Sequence, residues 1–93
     1  MDKQHFQREM MKAQNFIERG EDSDYWVGYQ RGLRRRYHGE KFGTDEEHEM
    51  WMQLYEDSDD VKANQGRGYR NGFTPRIIRI LNYLRELLKA RKG

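Results

Sequence analysis

Gly28-Tyr29-Gln30-Arg31-Gly32-Leu33 recurs further along the chain as Gly68-Tyr69-Arg70-Asn71-Gly72-Phe73. An acidic tetrapeptide precedes each copy, Glu21-Asp22-Ser23-Asp24 in the first case and Glu56-Asp57-Ser58-Asp59 in the second. This reads as two related helical elements, each with an acidic cap followed by a Gly-Tyr-x-x-Gly-apolar segment. Glycine inside a helix costs about 1 kcal/mol relative to alanine, so Gly28 and Gly32 together cost about 2 kcal/mol and something must offset them. A spacing of four puts both on one face, beside Tyr29 and Leu33. Two such faces can bring their backbones close together, the small-xxx-small geometry better known from membrane helices. The expectation is that the helices of the two copies cross at their glycines, as the core or as a dimer contact.

The second copy has a competing reading. Gln65-Gly66-Arg67-Gly68-Tyr69-Arg70-Asn71-Gly72 is dense in turn signals, and Asn71-Gly72 is a turn dipeptide. Residues 64–72 read as helix, with a flexible loop as the alternative, and a Gly/Arg loop with Tyr69 could contact phosphate and stack on a base.

Working outward, Phe6, Met10, Ala13 and Ile17 share one helical face over residues 3–19, and Gly20 follows at a natural C′ position. The first glycine element begins after Ser23 and stops near Gly39, with Arg34, Arg35, Arg36 and His38 in its last turns, where cations suit the macrodipole. Thr44 and Glu47 form a capping box that opens a further helix, with Trp51, Leu54 and Tyr55 facing inward and Met50 or Met52 filling gaps. The second glycine element runs from Ser58 to about Asn71, with Gly72 and Phe73 as C′ and C″. Thr74 and Pro75 then supply N-cap and N1 of a last helix. Its stripe of Ile77, Leu81, Leu84 and Leu88, widened by Ile78, Ile80 and Leu87, is expected to pack on the core, leaving Arg76, Arg79, Arg85, Lys89, Arg91 and Lys92 on a solvated back. Dimerisation, or docking in a partner's groove or on an anionic surface, is the alternative for this helix. The fold class is all-α, a compact bundle of four to five short helices in a single domain over residues 1–93.

With 34% hydrophobic, 37% charged and 13% aromatic residues, the chain is polar but carries enough large rings to build a core. Its net charge of +2 hides strong segregation. Residues 42–61 hold eight Asp/Glu and no Lys/Arg, while residues 31–41 hold five Lys/Arg against one acid and residues 62–93 nine against one. The blocks either pair within the fold or serve as docking surfaces.

Catalytic equipment is sparse. There is no cysteine, hence no disulfide, thiolate site or thiol nucleophile. Ser23, Thr44, Ser58 and Thr74 all fall where helix caps are expected. The carboxylates Asp45, Glu46, Glu47 and Glu49 complement a helix dipole without invoking chemistry. His5, His38 and His48 lack metal-ligand spacing. A non-enzymatic protein without cofactor or metal is expected. No apolar run is long enough for a bilayer and no signal-peptide pattern opens the chain, so a cytoplasmic location without membrane contact is expected.

The leading functional expectation is a small regulator that binds a protein partner, in size and charge style like a phage or mobile-element inhibitor. Tyr and Arg dominate interface hot spots, which singles out Arg31, Arg34, Arg35, Arg36 and Tyr37, with Asp45, Glu46, Glu47 and Glu49 as a second surface. Arg31, Arg34, Arg35 and Lys41 are expected to share one exposed face. The alternative is nucleic-acid binding through Arg31, Arg34, Arg35, Lys41, Arg67 and Arg70. A homodimer is also compatible with the pattern.

Overall fold

The computed structural model describes residues 1–92, with the side chain of Lys92 outside the description. Helix α1 spans Lys3–Glu18, α2 Ser23–His38, α3 Asp45–Gln53, α4 Asp60–Phe73 and α5 Arg76–Lys92. Short 3-10 turns at Gly39–Lys41 and Leu54–Glu56 flank α3. The architecture is the expected all-α bundle of short helices.

Local chemistry accounts for most helix ends. The Asp2 carboxylate accepts from the His5 amide at 2.8 Å and caps α1. That bond also holds the Asp2 carboxyl below its usual range. At the other end Gly20 takes φ +70°, and the Glu21 and Gly20 amides donate to Phe16 and Ile17 carbonyls, a Schellman stop. Thr44 Oγ accepts from the Glu47 amide, as the capping box predicts.

The other three expected hydroxyl caps shift. Asp22, not Ser23, is the N-cap of α2, in a left-handed conformation at φ 50°. Asp59, not Ser58, caps α4, its carboxylate accepting from the Lys62 amide. Thr74 closes α4, and the first helical bond of α5 runs from the Arg79 amide to the Pro75 carbonyl.

The centre of the fold is the crossing of α2 and α4, the most extensive helix pair in the chain. Residues 64–72 are helical, which resolves the helix-or-loop ambiguity. Gly28, Gly32, Gly68 and Gly72 are all buried at this crossing. A Cβ on Gly28 would lie 2.0 Å from the Gln65 carbonyl oxygen, and one on Gly68 would lie 1.8 Å from that of Tyr25. A Cβ on Gly32 would lie 2.1 Å from the Tyr69 oxygen and one on Gly72 2.1 Å from the Tyr29 oxygen. Each glycine thus faces the residue three positions before its counterpart. The two helices run parallel, in register, around a local two-fold axis. Gly72 is therefore not a C′ glycine: it lies inside α4, and its missing side chain is used for approach rather than for a positive φ.

The symmetry extends outward from the crossing. Tyr29 and Tyr69 occupy equivalent places, 3% and 2% exposed. Tyr29 packs beside Tyr25 and Trp26, with Ala13 of α1 completing its cluster. Tyr69 stacks on Trp51 of α3. Gln30 and Arg70 are also counterparts, and each ties its helix to a flanking one. Gln30 Nε2 donates to the Met10 carbonyl at 3.1 Å, and an Arg70 guanidinium nitrogen donates to the Met52 carbonyl at 3.2 Å. The layer order is α1, α2, α4, α3.

Helix α5 departs from expectation. It makes few contacts with the other helices, and its apolar stripe faces solvent instead of the core. Among residues 76–91 only Arg79 is half-buried, and Arg79 lies on the opposite side of the helix from the stripe. The α2–α4 glycine faces are already filled by each other and flanked by α1 and α3, so the stripe finds no core face to meet.

Because a single methyl group would collide with main-chain atoms, Gly68→Ala is expected to destabilise the protein by about 3 kcal/mol, despite the better helix propensity of alanine. Urea unfolding followed by tryptophan fluorescence measures this. An unchanged midpoint would contradict the close crossing.

Candidate functional site

The arginine run at the end of α2 divides into side chains with different tasks. Arg35 is buried, its side chain only 8% exposed. Its guanidinium donates to the Phe42 carbonyl at 3.2 Å, the Gly43 carbonyl at 3.1 Å and the Asp45 carboxylate at 2.8 Å. It fastens the Gly39–Thr44 connection to the end of α2 and the start of α3. Arg35 therefore does not belong to an exposed face with Arg31, Arg34 and Lys41. One contact between the basic and acidic blocks is thus internal, while Glu46, Glu47 and Glu49 stay exposed on the first turns of α3.

Arg31 is half-buried, its guanidinium 4.9 Å from the Trp51 ring centre and 5.6 Å from that of Phe42. It joins α2 to α3 by cation–π contact. Tyr37 stacks on Phe6 at 4.3 Å between centroids, so it helps hold α1 to α2. Arg34 borders an open groove of about 650 Å³ between α1 and α2, with Phe6, Met10, Met11 and Gln30 in its walls. Arg36 is half-buried on α2, and Lys41 is exposed on the connection. Of the expected arginine anchors, Arg34 and Arg36 are those with no structural partner among the described contacts.

The residues of the nucleic-acid alternative are likewise dispersed. Arg67 and Arg70 share a hollow of about 230 Å³ with Tyr25, Tyr55 and Asn71. Within it Arg70 lies 4.2 Å from the Tyr55 ring centre and is bonded to the Met52 carbonyl, while Arg67 donates to Asn64. Arg31, Arg34, Arg35 and Lys41 sit in other surroundings, so the six do not converge on one site.

Half-buried His48 and buried Tyr69 form a polar pair between α3 and α4, with Nδ1 and the hydroxyl 2.8 Å apart. Burial pushes the His48 imidazole below its usual range, helped by the nearby Arg35 charge, and burial raises the Tyr69 hydroxyl. Both shifts favour the uncharged forms, an imidazole and a phenol sharing one hydrogen bond. Among the described residues, no group of three or more His, Cys, Asp or Glu is placed to hold a metal ion.

The apolar stripe expected to pack on the core is instead exposed. On α5, Ile77, Ile78, Ile80, Leu81, Tyr83, Leu84, Leu87 and Leu88 are each 44–65% exposed. Six cations and one acid, Glu86, share the helix. The helix touches the body through its polar side, where Arg79 Nε is buried without a hydrogen-bond partner. The amphipathic pattern was visible in the sequence; its direction was not, because it depends on which faces the other helices had left open. No described helix is long and apolar enough to cross a membrane.

Arg35→Ala is expected to lower stability by about 2 kcal/mol, through two orphaned carbonyls and a lost ion pair. Arg34→Ala should change it by less than about 0.5 kcal/mol. Equal effects in chemical denaturation would refute this division. The depressed His48 makes a second prediction. A group whose folded pKa lies below its unfolded value stabilises the fold fully above the unfolded value of 6.5, and that contribution is lost as pH falls through the folded value. The melting temperature should therefore fall more between about pH 7 and pH 5 than it does in His48→Gln. Parallel profiles would show that the imidazole proton is not linked to folding.

Comparisons with protein-family models, with curated proteins and with solved structures find no match to this chain, so its function is read from the chain's own surface.

Proposed function

We propose that this chain is a small non-catalytic regulatory protein that binds a protein partner, and that α5 is its docking element. The observation that carries the reading is the inverted amphipathic helix: eight large apolar side chains outward, an arginine inward. A contiguous apolar patch of this extent, bordered by charge, marks an interaction surface. An amphipathic helix presented in this way matches the helix-in-groove mode of recognition, with anchors at i, i+3, i+4 and i+7. Ile77, Ile80, Leu81 and Leu84 stand at that spacing.

This moves the expected anchors away from the arginine run. Arg31, Arg35 and Tyr37 serve the fold, and Arg34 and Arg36 remain as a subsidiary surface with Glu46, Glu47 and Glu49. A protein of this kind regulates by occupancy: whatever surface receives α5 is covered, which is the inhibitor role expected from size and segregated charge.

The nucleic-acid reading keeps one supporting observation, the hollow shared by Arg67, Arg70, Tyr25 and Tyr55. It ranks second because Arg70 is already engaged by Tyr55 and Met52, and because eight acids crowd residues 42–61.

A photo-crosslinking amino acid at position 84, used in cells producing the protein, is expected to give discrete protein adducts, and one at exposed position 67 none. A labelled mixed-sequence duplex and single strand should show no saturable anisotropy change at about 50 mM salt, where phosphate contacts are strongest. Absence of adducts at 84, together with salt-sensitive binding of either strand, would overturn the protein-binding reading in favour of nucleic acid.

A further inference from the structure

We infer that the partner of α5 is the α5 of a second copy of this chain, an inference that rests on reading α5 as a protein-docking face. Three observations support a second copy as the partner.

The first is register. Ile77, Ile80, Leu84 and Leu87 follow alternating steps of three and four, the spacing that keeps one seam facing a helical partner. Leu81 and Leu88 widen the seam on one side. Two copies of such a surface are self-complementary, as a two-fold interface requires.

The second is where the charges lie. A helix that pairs with a like-charged copy of itself must keep its cations off the positions that border the seam. Here the positions flanking the seam over the middle turns are Leu81 and Leu88 on one side and Tyr83 and Ala90 on the other. Arg79, Arg85, Glu86 and Lys89 occupy outer positions, away from a facing helix. Cations reach the seam or its edge only at the ends, as Arg76 and Arg91. Two like-charged helices can therefore meet along their middle turns with their cations held apart.

The third is area. The exposed parts of the seven apolar side chains on the seam and its flanks, Ile78 lying among the outer positions, amount to roughly 700 Å², close to what a standard-size interface takes from each partner. Pairing of two α5 helices would cover the stripe without asking anything of the α2–α4 core.

Sedimentation velocity of the full chain tests this. Over about 5 to 200 µM the mass should rise from monomer to dimer, since association is a mass-action effect. The dimer should be tighter at about 300 mM salt than at about 50 mM, because screening relieves repulsion between like-charged helices. The double variant Leu84→Asp, Leu87→Asp should stay monomeric over that range, with near-ultraviolet circular dichroism unchanged because Trp26 and Trp51 lie outside α5. A wild-type chain monomeric at both salts overturns the inference, and so does a folded double variant that dimerises as well as wild type. If the variant fails to fold, dissociation of the wild-type dimer on dilution still decides the matter. The two readings fail separately. A monomer that still gives adducts with another protein at position 84 removes only the second copy, whereas a monomer without adducts removes the docking reading as well.

Discussion

Everything in this fold follows from the absence of four β-carbons. Gly28, Gly32, Gly68 and Gly72 let α2 and α4 approach until carbonyl oxygens rest against the opposing glycines. Four helical glycines cost about 4 kcal/mol in propensity, and close packing with Cα–H···O contacts is what offsets it. In lipid this geometry joins two chains. Here both helices belong to one chain, so the parallel arrangement needs a connection that travels back along their length. Residues 39–59 make that return, and α3 within it becomes the layer that covers α4.

Close approach also explains the fate of the arginine run. With α1 and α3 drawn in on either side, the end of α2 lies beneath the returning connection. Arg35 has two bare carbonyls and a carboxylate within reach there, and a guanidinium fork is the side chain that can satisfy them together. Arg31 is held between Trp51 and Phe42 for a related reason: the layer that covers Tyr69 also covers Arg31. Charge density along a sequence thus misleads where a chain reversal converts consecutive cations into struts.

What was legible in the sequence, and what was not, divides along this line. The glycine pairs, the Gly20 stop, the Thr44 cap and the α1 face depend on residues within a turn or two of each other, and all could be read locally. At Ser23 and Ser58 a neighbouring aspartate competes for the cap and takes it, while at Gly72 the tertiary crossing chooses between two local roles. At Gly72 a C′ stop and a packing glycine look identical until the opposing carbonyl of Tyr29 is in place. The dispersal of Arg31, Arg34, Arg35 and Lys41, and the outward face of α5, could not be read at all. Both depend on contacts between segments more than a helix apart.

The outward stripe of α5 is better understood as a consequence of the crossing than as an exception to it. A bundle of four helices with a wide shared core would have a groove for a fifth. A pair closed on glycine offers none between its own two helices, because the residues that would line such a groove have been replaced by backbone contact. Tyr29, Leu33 and Tyr69 are nearly sealed by their immediate neighbours, and Ala13 is wholly so. The apolar area on α5 therefore adds nothing to the stability of the isolated body. It is retained surface, and the hydrophobic effect acts on it only when another surface arrives. A chain that completes its core around four glycines and two tyrosines, and then carries a separate stripe of isoleucine and leucine, keeps that stripe apart from the contacts that fold it.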